Sequence, residues 1–291
     1  MDSTFLIQLL VNGIVLGVIY ALLATGLSLI FGVLEIVNFA HGEFYMIGAM
    51  LAYFAVSNLH LDYWSTIVVV VIVSCCIGYV LFEALLASMR GKNFERSILL
   101  TLGVSMVLQN GALFLFTATP RIVNTQYAYV NLSIGDVRVS LLRVLALVLA
   151  CLAFAGLYFV LYRTRMGMAM RGVAQNREAA LMVGIRPHAI SRLAVVIGIG
   201  LSGLAGAALA PVYSVHPTMG FAFVFKAFAI IIIGGLGNVS GAALAAILIG
   251  ILESFVGGFL PLGYVDTTVF VFMIGILLFR PHGLFGSGVR I

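Results

Sequence analysis

The feature that most constrains this chain is its succession of long, uninterrupted apolar runs. Windows near residues 5–31, 42–58, 64–89, 97–118, 141–162, 189–213, 222–235, 241–258 and 265–280 approach the length of a bilayer-crossing helix, about 20 residues for roughly 30 Å of hydrocarbon. Lipid offers no partner to an amide, so a spanning segment must satisfy its own backbone as a helix or join a closed barrel. The runs are continuous and rich in Leu, Ile, Val, Ala and Gly, whereas a barrel needs alternation. With 63% hydrophobic and 9% charged residues in 291, most of the chain has lipid as its solvent. The expected fold is all-α: a polytopic transmembrane helix bundle of about eight or nine spans, one domain over residues 1–291.

Charge placement orients the bundle. Arg90, Lys92 and Arg96 fall in one loop, and Arg163, Arg165, Arg171, Arg177 and Arg186 fall in another two spans later; cytoplasmic loops carry such an excess. Residues 119–140, with only Arg121 and Arg138, then lie outside, and the tail with Arg280 and Arg290 inside. Nine crossings put the N-terminus outside; a re-entrant 42–58 or 222–235 would change that parity. The opening MDSTFLIQLL has no basic residue ahead of its apolar run, so the first helix is expected to stay rather than be cleaved as a signal peptide. The net charge of +5 sits in short loops between spans, where orientation alone accounts for it, and no nucleic-acid partner is implied. Cys75, Cys76 and Cys151 lie in apolar stretches without metal-ligand spacing and read as fillers.

Small residues at four-residue spacing, Gly13 with Gly17 and Gly198 with Ser202 and Gly206, let helix backbones approach closely. Glycine-interrupted stretches near 32–48 and 234–250 occupy similar positions in the two halves, the pattern of a transporter built from repeats around its pathway.

Three constellations stand out against this apolar background. FGVLEIVNFAHGEFYMIGA places Glu35, Asn38, His41 and Glu43 between two runs. They are either solvated in a cytoplasmic turn, tied into a hydrogen-bond network, or part of a gate, because polar groups inside a membrane are costly unless satisfied. His41 and Glu43 have no further metal ligand at usable spacing, so no metal is expected. Lys226, about one turn into an apolar span, either snorkels to the outer interface, lines the pathway, or pairs with Glu83 or Glu253. RTRMGMAMRGVAQNREAALMVGIRPHAI, within a loop of about 163–188, is too polar for lipid and too long for a tight turn, so it should protrude. Helix formers from Ala174 to Val183, Gly184 as a stop and Pro187 beyond it predict a short surface helix. Its Ala179–Ala180 pair with flanking arginines suggests a docking knob for a soluble partner. GGLGNVSGA lacks the strand context and acidic partner of a dinucleotide site. No GxxxxGK[ST] occurs, so any ATP is bound by a partner and no cofactor is expected here.

On NGIVLGVIYALLATGLSLIFGV, VNFAHGEFYMIGA, RGVAQNREAALMVGI, GGLGNVSGA and FRPHGLFG, the chain resembles the LivH-type permeases of the branched-chain amino acid ABC transporter family, over nearly its whole length. The resemblance implies a multi-pass subunit of the bacterial inner membrane, without enzyme activity of its own. It would work with a LivM-type second permease, two cytoplasmic ATPase subunits and a periplasmic amino-acid-binding protein. It also implies that the protruding loop is the coupling helix, with Arg171, Glu178, Ala179, Ala180 and Gly184 matching the motif, and that Asn176 stands where an acidic residue is usual. Glu35, Asn38, His41, Glu43 and Lys226 become candidates for pathway or gate. Relatives importing urea, amides or other amino acids, and a channel or secondary transporter working without ATP, are the rival expectations; an intramembrane enzyme would need convergent groups that His41 and Glu43 alone do not supply.

Overall fold

A computed structural model of the protein describes residues 3–86, 94–134, 137–261 and 263–286. Arg90, Lys92 and Arg290 of the charge argument lie outside the described residues. The elements are α1 (Ser3–Leu34), α2 (His41–Ser57), α3 (Tyr63–Leu81, continued by a π-turn Phe82–Leu86), α4 (Phe94–Phe116), a hairpin of β1 (Asn131–Ile134) and β2 (Val137–Ser140), α5 (Leu141–Arg163), α6 (Arg165–Gln175), α7 (Arg177–Met182), α8 (Pro187–Leu209), α9 (Met219–Gly234), α10 (Val239–Phe259) and α11 (Gly263–Phe279). All nine apolar windows are helical. Of these helices α1, α3, α4, α5, α8 and α10 are long and apolar enough to cross a membrane, while α9 and α11 are apolar but shorter.

Helix boundaries follow local chemistry. The Asp62 carboxylate accepts the amides of Trp64 and Ser65 at 3.1 and 3.4 Å and starts α3, using donors that the helix itself leaves unpaired. Pro187 sits in the first turn of α8, where its missing N–H is no loss. Between α9 and α10, Gly235 and Gly237 take φ of 99° and 79°, values that a Cβ disfavours. The Asn238 side chain then accepts the Gly241 amide at 2.9 Å to open α10. The segment around FRPHGLFG folds back onto this turn: the Leu284 amide donates to the Ile233 carbonyl at 2.7 Å, and the Asn238 amide group to the Phe285 carbonyl at 2.9 Å.

α1 is the axis of the bundle. It runs antiparallel to α10, from Phe5 against Phe259 at one end to Gly17 against Ile247 further along. A Cβ on Gly13 would lie 2.7 Å from the Ile251 Cα, and one on Gly17 2.6 Å from the Ile247 Cα, so the backbones touch. On another face Gly26 meets Gly198 of α8 in the same way, at 2.6 Å from its carbonyl oxygen. The four-residue spacing therefore does what it predicts. The molecule has a hairpin end, where the bridge between Arg121 and Val215 ties residues 117–130 to the loop after α8, and an arginine end carrying Arg163 to Arg186.

The start of α2 rules out, for Asn38, His41 and Glu43, the solvated turn among the three readings of this stretch. Residues 35–40 leave the helix as non-helical chain, with Asn38 and Ala40 fully enclosed, and α2 starts within the bundle. The His41 ring bonds the Leu23 carbonyl of α1 at 3.0 Å, and the Ser202 hydroxyl of α8 donates to the His41 carbonyl at 3.0 Å. Gly42 packs on the Gly220 carbonyl, so the first turns of α2 and α9 meet. The interruptions that pair in space are thus 35–40 and 210–218, ahead of α2 and α9, while 234–238 is a turn at the arginine end.

A Gly17→Ala variant is expected to lose about 1–3 kcal/mol of stability by overpacking against α10. Gly103→Ala on α4, where an added Cβ meets nothing within 4 Å, should be neutral or better. Thermal loss of helical circular dichroism in detergent distinguishes the two.

Candidate functional site

Three places concentrate polar chemistry. The first is a cavity of about 340 Å³ at the hairpin end, walled by α1, α5, α8, α9, α10 and α11. Lys226, on α9, reaches into it and lies 3.0 Å from Glu253 Oε1 of α10 and 2.9 Å from Asp266 Oδ1 of α11. The Tyr20 hydroxyl of α1 donates to Glu253 Oε2 at 2.8 Å and accepts from Lys226 Nζ at 3.4 Å. Glu253 is 4% exposed and Lys226 15%, against 62% for Asp266, so the pair is held inside and the second acid stands at the edge. Arg143, in the first turn of α5, donates to Asn12 of α1 at 2.6 Å on the same cavity wall. Of the readings left open for Lys226, the ion pair with Glu253 is found, with Asp266 as a second partner, and the pair lines the cavity. Glu83 lies elsewhere, in the π-turn after α3, 3.0 Å from Arg192 and 3.8 Å from His188 of α8 at the arginine end.

The second place is the junction where α2 begins. Glu43, Asn38 and His41 are fully buried, not solvated. The Ser105 hydroxyl of α4 donates to Glu43 Oε1 at 2.9 Å. Thr101, one turn earlier, accepts the Phe39 amide and donates to the Val37 carbonyl, both at 3.2 Å, which satisfies backbone that has left the helix. The other Glu43 oxygen faces the backbone at Gly220 of α9. The carboxylate is thus wedged between the first turns of α2 and α9, with Ser105 its one hydrogen-bond donor among the described residues. Glu35, by contrast, is exposed, with φ of 58°. The four residues singled out together therefore divide into three buried side chains, each bonded to a different partner, and one surface residue.

The third place is the excursion at the arginine end. The single helix expected from Ala174 to Val183 is two: α6 ends at Gln175, and α7 is opened by Asn176, whose side chain accepts the Ala179 amide at 2.9 Å. Asn caps as well as Asp, so the uncharged residue at this position keeps the local structure. Gly184 takes φ of 81° and donates to the Leu181 carbonyl at 3.0 Å, closing α7. Glu178 and Ala179 are exposed, but Ala180 is buried against the body. The outward apolar surface is Leu181, Met182 and Val183, at 55%, 87% and 75% exposure. Arg171 is not at this tip: its guanidinium donates to the Leu161 carbonyl and lies 5.1 Å from the Tyr162 ring centroid, fastening α6 to the end of α5.

Asn12, Tyr20, Ser105, Arg143 and Asp266 were missed by the sequence argument. Arg143 and Asp266 had a signal, since each is a charge at the start of an apolar span; Tyr20 and Ser105 carry none that sequence alone separates from ordinary core.

Residues 9–279 match the family described as branched-chain amino acid transport system / permease component. The chain is 31% identical to the high-affinity branched-chain amino acid transport system permease protein BraD of Pseudomonas aeruginosa, across 96% of this chain and 95% of that one. It is 27% identical to the permease protein LivH of Escherichia coli K12 over 97% and 96% of the two chains. With LivM of the same organism it shares 26% over 92% of this chain and 68% of the relative. No solved structure matches.

Ser105→Ala is expected to leave a buried carboxylate oxygen without its donor and to cost about 1–3 kcal/mol. Asn110→Ala, an exposed side chain bonded to its own helix at Met106, should leave the thermal midpoint of the detergent-solubilised protein in place.

Proposed function

We propose, from the premise that this chain belongs to the branched-chain amino acid transport permease family, that it carries leucine, isoleucine or valine inward across the bacterial inner membrane. It is a multi-pass permease subunit of an ABC importer. In this reading the 291 residues are one permease domain, working beside a second, LivM-like permease. Two cytoplasmic ATPases bind the ATP, and a periplasmic binding protein delivers the amino acid. The positive-inside rule puts the arginine end in the cytoplasm and the hairpin end, with its cavity, outside.

The observation that carries the coupled importer over an ATP-independent channel is the α6–α7 excursion. A channel has no use for a short helix capped at both ends that presents Leu181, Met182 and Val183 to water. Such a tip fits a groove in a soluble partner, in the manner of a helix laying its apolar residues into a cleft. Its supports make it stiff. Ala180 is buried, Ile185 packs on the core with its amide donating to the Ala180 carbonyl at 3.0 Å, and Arg171 holds α6 to α5. Closure of the ATPases on ATP would push this lever, and rigid-body motion of α5 and α8 would switch access between the two sides. Thr164 caps α6 directly after α5, and Pro187 opens α8 two residues after Ile185, so little slack separates the tip from the spanning helices.

Radiolabelled leucine uptake into proteoliposomes holding this chain with both partner types tests the reading. Uptake that needs ATP and the binding protein, and that unlabelled isoleucine blocks while urea does not, is the expected result; uptake by this chain alone without ATP overturns it. Met182→Asp is expected to abolish ATP-driven uptake while leaving membrane insertion intact. Gly184→Asp should do the same, because it also forces a Cβ into left-handed backbone.

A further inference from the structure

We infer that the hairpin-end cavity is a binding site for the zwitterionic head of an α-amino acid, with Lys226 and Arg143 turned to its carboxylate and Glu253 with Tyr20 to its ammonium group. The inference deepens the importer reading and rests on it for the class of ligand. Its own support is the composition of the cavity. Charges inside a membrane bundle are costly, and those that persist mark pathways or partners. A purely structural ion pair would be packed over, yet Lys226 and Glu253 line open space of about 340 Å³. That lies at the small end of the roughly 300–1,000 Å³ typical of small-molecule sites.

The two signs lie on opposite sides of a short exchange. Lys226 holds Glu253 and the more exposed Asp266 at once, 3.0 and 2.9 Å away, so it keeps one anion when it yields the other. An arriving carboxylate takes the place of Glu253 on Lys226, and the freed Glu253, still bonded to the Tyr20 hydroxyl at 2.8 Å, takes the ammonium group. The zwitterion has no net charge, so this exchange of partners leaves the buried charge balanced, which neither a free amine nor a free acid achieves. Arg143, fixed by Asn12 at 2.6 Å, supplies a second donor for the carboxylate. Leu16, Ile19, Leu209, Val212 and Phe223 on the remaining wall accept an aliphatic side chain.

The test is a reporter cysteine at the lining residue Val265, in a chain whose Cys75, Cys76 and Cys151 are replaced by Ser, reconstituted with its partner subunits. Alkylation of Val265→Cys by a maleimide is timed with leucine, with 4-methylpentanoate, which lacks the amine, and with isoamylamine, which lacks the acid. The expected result is several-fold slowing by leucine alone, lost in the Lys226→Met/Glu253→Gln double variant, which removes both buried charges and leaves only Asp266, 62% exposed and open to water, without its cation, and so inserts and assembles normally. Equal slowing by all three compounds, no slowing by leucine, or slowing that survives in the double variant overturns the proposal. Parallel leucine uptake separates the two claims. Protection without ATP-driven uptake keeps the cavity and removes the importer, whereas uptake without protection does the reverse.

Discussion

Backbone contact between α1 and its neighbours is the constraint on which the rest of this molecule depends. In lipid the apolar side chains are as well solvated outside the bundle as within it, so helices associate through close packing and a few polar bonds. Gly13 and Gly17 bring α1 against α10, and Gly26 brings it against α8. At that separation from α10 the Tyr20 hydroxyl reaches Glu253 at 2.8 Å. The glycines come first and the polar chemistry follows from the distance they set.

The polar groups divide by what satisfies them. At the start of α2 the partners come from other helices, Ser105 and Thr101 of α4 and Ser202 of α8, and they stabilise a chain that has left helical geometry inside the bundle. At the hairpin-end cavity the charges satisfy one another and face space. The first arrangement is a fastening and the second an exchangeable set; polar residues in apolar sequence look alike until their partners are known.

The helices were legible because lipid permits a single local solution to backbone hydrogen bonding, so apolar length alone locates α1, α3, α4, α5, α8 and α10. The small-residue spacing of Gly13 and Gly17, the glycine turn at 234–238 and the protruding loop were legible for similarly local reasons. What escaped depends on where an element sits, not on what it is. Helix 174–183 broke at Asn176 because an amide side chain cap outweighs the helix formers on either side. Glu43 and Glu35 differ in fate although eight residues apart, since one is buried against Ser105 of α4 and the other lies on the exposed surface. Pairing Lys226 with Glu253 and not Glu83 required knowing that α9 and α10 share the hairpin end while Glu83 closes α3 at the other.

The division of helices around α1 separates two properties of the cavity. α8 packs on α1, α2 and α3, whereas α9, α10 and α11 pack among themselves, with α9 and α10 also on α1 and α9 on α2. Lys226, Glu253 and Asp266 all belong to the second group, whereas Leu209, Val212 and Tyr213 of the cavity wall follow from the first. In the importer reading, a stroke delivered to α8 would change the size of the container while Lys226, Glu253 and Asp266, on three helices that pack on one another, stay together. On that reading, substitution on α8 would retune the volume for a different side chain without touching the charges proposed to hold the part every amino acid shares.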